Sequence, residues 1–343
     1  MGLPAISTLE GLRAHLQGAI ELEHATLPPY LCALYSIREG ANAEAAEVVK
    51  SVFVDEMVHL LMAANLLNAV GGAPAIDSPG FVANYPATLP FSNKSFEVPL
   101  LPFSPEAIEV FRRIERPEMD EAPAEADGFE TIGQFYQALE EGLIYLTATL
   151  GEEAVFTGDP SRQIGPEMIG GNAGWRIVAV TDLASALRAI DEIEEQGEGL
   201  KHAEVWDGER DMFHPDRDEV AHYFRFSEIL EGRRYRRGDT PRSGPSGEAI
   251  PVDWTAVYPM RVNTRMGDYP EGSQVRARMT EFNRAYCELL RFLHRSVNGE
   301  SELLGDLFGA MMDVRRAARE LMGTPSGDGV TTAGPSFEYV APA

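Results

Sequence analysis

The 343-residue chain has only two cysteines, Cys32 and Cys287, 255 positions apart, which excludes a disulfide framework and any cysteine-rich zinc or iron–sulfur site. Basic residues are also scarce. Against 54 Asp and Glu there are 29 Lys and Arg, giving a formal charge of −25 and a pI of about 4.6. Such a chain repels a nucleic-acid backbone or an anionic membrane, so neither is expected as a partner. No run of 18 apolar residues occurs, and the opening MGLPAISTLEGLRAHLQ lacks a basic start followed by an apolar core. Neither a membrane span nor export is expected, and the low cysteine count suits a reducing cytoplasm.

What the chain does contain is apolar residues at helical spacing, 44% of the total. From Ser7 to Val70 they recur every three or four positions, with Ser7-Thr8 as a cap and Gly71-Gly72 as a stop, which predicts two long helices. Residues 71–128 hold nine prolines and cannot form one continuous element; a short helix is predicted at 105–114. Helical spacing returns at 131–150, 182–199 and 219–231. Residues 233–272 read as loop or short extended pieces, and 274–297 with 302–322 read as an antiparallel helix pair joined at Asn298-Gly299. The fold class is therefore all-α.

Certain charged residues fall on the apolar stripes. In the first helix Leu16, Ile20, Glu23, Leu27, Leu31 and Leu34 step by three or four, which places Glu23 among core residues. In the second, Val49, Val52, Glu56, His59, Ala63, Leu66 and Val70 alternate three and four without a break, so Glu56 and His59 point inward. An uncompensated carboxylate in an apolar interior costs several kcal/mol and requires a cation or a proton. Glu-x-x-His on a bundle helix, beside an inward Glu on its neighbour, is half of a di-iron carboxylate site, and its hard and borderline donors suit Fe or Mn. The second half has several candidates. Glu195 and Glu198 share the i, i+3 spacing, and His222 follows on the next segment. Periodicity alone favours Glu194, on a stripe with Leu183, Leu187 and Ile190, while Glu140 is a weaker alternative on the third helix. Tyr30, Tyr136 and Tyr223 are the candidate catalytic residues, as hydroxyl donors that orient carboxylates, with aromatic core filling as their other reading. Pro28-Pro29, five residues after Glu23, is expected to interrupt the first helix and free carbonyls near residues 24 and 25.

Several stretches resemble a known family. They are ELEHATLPPYLCALYSI at 21–37, DEMVHLLMAANLLNAVGG at 55–72, VPLLPFSPEAIEVFRRIERPE at 98–118, IGQFYQAL at 132–139, EQGEG at 195–199 and HYFRF at 222–226, with AGPSFEY near the end. In this order they resemble the ferritin-like domain family of the iminophenyl-pyruvate dimer synthase type, related to enzymes of violacein and rebeccamycin biosynthesis. The resemblance implies a ferritin-like four-helix bundle over residues 5–235, carrying the Pro-rich insertion, with residues 236–343 as a C-terminal helical hairpin and tail packed on it. Carried over by position, the metal ligands would be Glu23, Glu56, His59, Glu195, Glu198 and His222. The implied cofactor is iron, as a dinuclear centre, with Mn or another divalent metal as alternatives. The expected activity is a metal-dependent oxidoreductase using O₂ or peroxide on a small amino-acid-derived molecule, with imine coupling or oxidation in secondary metabolism as one form of it. Metal storage or detoxification, or a non-catalytic helical scaffold, are the competing readings, and a homo-oligomer is left open.

Overall fold

The computed structural model describes residues 4–92, 96–117, 129, 131–169, 176–198 and 204–341, with backbone alone at Ile169 and Glu198. Helix α1 (Leu9–Ser36) begins where the Thr8 hydroxyl accepts from Gly11 N, the expected cap. Helix α2 (Ala43–Ala69) stops at Gly71, whose φ of 73° lies in the left-handed region. These two helices form the most extensively packed pair, and the α2 stripe from Val49 to Val70 is buried throughout. Although α2 is apolar and long enough to cross a membrane, 89% of its most apolar window is buried inside the protein, as suits a core helix.

Two shorter pairs lie against them. Helix α3 (Pro105–Ile114), capped by the Ser104 hydroxyl, packs on α7 (His222–Glu231), while α4 (Ile132–Leu150), capped by Thr131, packs on α6 (Leu183–Glu198). Helix α1 touches both α3 and α4, and α2 touches both α6 and α7. A single turn, α5 (Glu152–Val155), follows α4. The third and fourth positions of the bundle are thus each filled by two segments.

The sequence reading of 219–231 as helix is corrected at its start. Residues Asp218–Val220 form strand β2, paired antiparallel with β1 (Trp206–Arg210), and α7 begins only at His222. Prolines 28 and 29 do not interrupt α1, which runs through them. The carbonyl of Ala25, deprived of its partner at Pro29, accepts from the Tyr85 hydroxyl at 2.7 Å instead. Helices α8 (Gln274–Val297) and α9 (Leu304–Met322) form the predicted hairpin. Its Phe282 and Tyr286 pack edge-on against Phe337 of the tail, and Asn283 pins that tail through Ser336 Oγ and Glu338 N.

Candidate metal centre

Glu23 projects from α1, and Glu56 and His59 from α2, and all three are buried. His59 Nδ1 lies 3.6 Å from Glu56 Oε1 and 3.9 Å from Glu23 Oε2. On the other side of Glu56 stand two more buried groups. His222, the first residue of α7, places Nδ1 2.9 Å from Glu56 Oε1 and 3.4 Å from Oε2 of Glu115, the residue that ends α3. Two donor groups result, Glu23–Glu56–His59 and Glu56–Glu115–His222; within each, ligating atoms lie within 4.8 Å of one another. Glu56 belongs to both. The two imidazoles are near parallel, with centroids 5.5 Å apart.

Each outer carboxylate is held by a buried phenol: Tyr136 donates to Glu23 Oε1, and Tyr30 to Glu115 Oε1. Burial, and then the charges of Glu23 and Glu115 respectively, keep these two hydroxyls protonated well beyond the usual phenol range. The Thr26 hydroxyl lies 3.1 Å from Glu56 Oε2. His59 Nε2 meets Gln196 Oε1 of α6 at 2.8 Å.

Three carboxylates in a dry interior create an electrostatic problem. Burial, and then the Glu56 charge, push both Glu23 and Glu115 above the ordinary carboxylate range. Burial works the same way on Glu56, but hydrogen bonds with His222 and His59 outweigh it and hold that carboxyl low. Burial also opposes charge on His222, yet Asp55, Glu115 and Glu56 overcome it and raise its basicity. Among the described residues, the ion pairs of these three glutamates are with histidine alone. Three carboxyl and two imidazole donors converge with no Lys or Arg among their ion pairs, and this donor set fits a pair of divalent cations sharing Glu56.

Behind His222, Nε2 faces Asp55 Oδ2 at 3.4 Å without hydrogen-bond geometry. Asp55 is taken up by Arg225, which also bridges Asp207 and Glu219 at 3.1 Å each. Arg225 and Glu219 border a groove of ≈ 640 Å³ that also includes Trp206, Phe213 and Tyr235, and none of the five donors lines it. A second cavity, ≈ 20 Å³ and large enough for about one water molecule, is bordered by Glu115, Tyr136, Glu194 and three isoleucines.

Of the residues expected from sequence, Glu23, Glu56, His59 and His222 meet, with Tyr30 and Tyr136 bonded to the carboxylates. Glu195 does not join them. The buried stripe of α6 runs through Ala186, Ile190, Ile193 and Gln196, so the neighbouring position turns away, and Glu195 is surrounded by Asp191, Arg176, Asp207 and Glu209. Glu194 is half-buried against Tyr136, Glu140 is half-buried on α4, and the Glu198 side chain lies outside the described residues. Tyr223 is also displaced: its hydroxyl accepts from Arg112 at 2.6 Å, and that guanidinium lies over its ring. His24, beside Glu23, meets the Tyr286 hydroxyl at 2.5 Å instead of the cluster, and burial lowers its pKa to about 3.

Glu115 and Gln196 were missed. Each follows an apolar stripe, Glu115 after Ile108 and Phe111 and Gln196 after Ile190 and Ile193, but lies at or near the end of its helix, where the rhythm that marks Glu23 on both sides stops. Glu219-Val220-Ala221-His222 also repeats the Glu-x-x-His spacing, but its first member lies on β2 and turns to Arg225.

The chain is 28% identical over 326 residues to dichlorochromopyrrolate synthase of Lentzea aerocolonigenes, across 83% of this chain and 29% of that protein, so it spans under a third of the relative's length. The crystal structure of a ferritin-like protein from Caulobacter vibrioides superposes with a TM-score of 0.62 at 21% identity, covering 98% of this chain and 99% of that one; at such identity the likeness concerns the fold. The Ferritin-like family profile matches residues 16–231, a span that contains every donor from Glu23 to His222, and the chain belongs to that family.

Proposed function

We propose that the protein is a di-metal oxidoreductase, with iron as its metal, that uses O₂ or peroxide to oxidise or couple a small amino-acid-derived molecule. The observation that carries this reading is the sharing of Glu56 between two buried carboxylate–histidine groups. Similarity to dichlorochromopyrrolate synthase supports secondary metabolism as the setting. When bound, the metal pair would supply one-electron redox chemistry at an oxygen-binding position.

The chain's own residues do the rest. Glu23, Glu56, His59, Glu115 and His222 would hold the metals. Tyr136 and Tyr30 each occupy one oxygen of an outer carboxyl group and leave the other turned to an imidazole, which fixes how Glu23 and Glu115 present themselves. Aromatic and aliphatic packing around Tyr30, including Phe111 and Phe226, keeps bulk water from the donors. The cavity of ≈ 20 Å³ beside Glu115 and Tyr136 has room for about one water-sized molecule.

The test is metal analysis of protein loaded anaerobically with Fe(II), followed by oxygen uptake. Near two irons per chain and oxygen consumption, both lost in Glu56→Ala with the helical circular dichroism retained, are expected. A load far above two irons per chain would favour storage. Wild-type protein that takes up no metal would leave only a helical scaffold.

A further inference from the structure

The two donor groups look alike in their ligands and differ in what stands behind each histidine. Gln196 Oε1 lies 2.8 Å from His59 Nε2, while its amide nitrogen donates to Glu192 Oε1 at 3.3 Å and to Glu209 Oε2 at 3.2 Å. Two carboxylate acceptors on the nitrogen side decide which way the amide faces, so its oxygen is turned to His59. That oxygen can only accept, so Nε2 donates to it and Nδ1 is the nitrogen turned to Glu23 and Glu56. Glu209 is in turn bound by Arg176 Nε at 2.5 Å, and Arg176 Nη1 lies 3.8 Å from Glu192 Oε1. A chain of contacts therefore runs from a half-exposed arginine through a carboxylate pair and a buried amide to the imidazole.

His222 has no equivalent. Its Nε2 faces Asp55 at 3.4 Å outside hydrogen-bond geometry, and the Asp55 Oδ2 atom it faces is bound by Arg225 Nη1 at 2.6 Å. One imidazole is held in its ring orientation by a neutral amide before any ion arrives; the other faces carboxyl groups at both nitrogens.

Resting on the di-metal reading, we infer that Gln196 is a positioning residue for His59, held by Glu192, Glu209 and Arg176, and that it makes the Glu23–Glu56–His59 group the one that fills first. The neutral amide orients the ring without adding a charge, and a partner of this kind typically changes metal affinity by about 10–100-fold.

The experiment is a chelator-competed titration of the full chain with Zn(II), which removes redox chemistry from the readout, alongside Co(II) absorption to report the geometry of each step. Wild type is expected to bind in two resolved steps. Gln196→Ala should weaken the tighter step by about 10–100-fold and leave the weaker one in place, and Gln196→Glu, which restores an acceptor, should recover it. Arg176→Ala, a half-exposed change that keeps the core intact, should weaken the same step by a smaller factor and shift its Co(II) spectrum. Two indistinguishable wild-type steps, or equal weakening of both steps by Gln196→Ala and Arg176→Ala, would overturn the inference while leaving the metal reading standing. No Zn(II) or Co(II) binding by wild type would overturn both.

Discussion

Glu115→Gln is the most discriminating single change at the site. The residue is 5% exposed, and the substitution keeps its volume and an oxygen for Tyr30 to donate to, while removing one negative charge. In the metal-free protein the loss should be small. Burial, and then the Glu56 charge, already push this carboxyl upward, so the native state gains little from its ionised form, and the lost contact with His222 Nδ1 at 3.4 Å is a long one. A net change under about 1 kcal/mol corresponds to a Tm shift of at most about 4 °C in a domain of this size. Metal binding should respond differently. A charge-assisted contact is worth about 1.5–3 kcal/mol, or roughly 10–100-fold in affinity, and only the Glu56–Glu115–His222 group loses it. Zn(II) titration should show the weaker step weakened further with the tighter one kept, while calorimetry shows a nearly unchanged melting point without metal. Two ions bound at wild-type affinity would refute the assignment of Glu115. A collapse of the metal-free protein would refute the claim that the carboxylate is there for something other than folding.

Metal uptake should release protons and strengthen with rising pH, because burial and mutual repulsion hold protons on Glu23 and Glu115 that a cation must displace; calorimetric titration in two buffers of different ionisation enthalpy counts them, and a count of zero would contradict the electrostatics. Tyr136→Phe should lower metal affinity by about 10-fold or more by freeing the Glu23 carboxylate to rotate, which the Zn(II) titration reads directly. Glu195→Gln should leave metal stoichiometry and affinity unchanged, and any loss of an ion would restore Glu195 to the ligand set. Glu219 offers a test away from the metals. Burial, and then Asp55 and Asp207 against the pull of Arg225, raise it from 4.5 to about 8, so its contribution to stability is complete below the unfolded value and declines as pH rises toward 8. Denaturant unfolding at a series of pH values should show that decline reduced in Glu219→Gln, and an identical slope would show that Glu219 titrates normally.

The helices and half of the site were legible because their signal is local. A charged residue replacing an apolar one in an unbroken three-four rhythm, as at Glu23, Glu56 and His59, is visible wherever a helix is long enough to establish the rhythm, and α1 and α2 run for 28 and 27 residues. The other half sits where the rhythm fails. Glu115 closes a ten-residue helix two positions before a proline, and His222 opens another ten-residue helix directly after a strand, so neither has turns on both sides to mark its face. Glu195 and Glu198, which the resemblance implies as ligands, share one helix, whereas the Glu and His that meet Glu56 come from opposite ends of two separate segments. Splitting the third and fourth bundle positions has a chemical consequence as well. A helix end leaves backbone groups free to turn, and the chain can aim Glu115 and His222 at Glu56 without the fixed 100° per residue that binds Glu56 to His59. The α2 donors are held by helical geometry and a buried glutamine. Of their counterparts, Glu115 is held by Tyr30, while His222 Nε2 only faces Asp55, so the half that is hardest to read from sequence is also the half with more freedom to adjust when an ion enters.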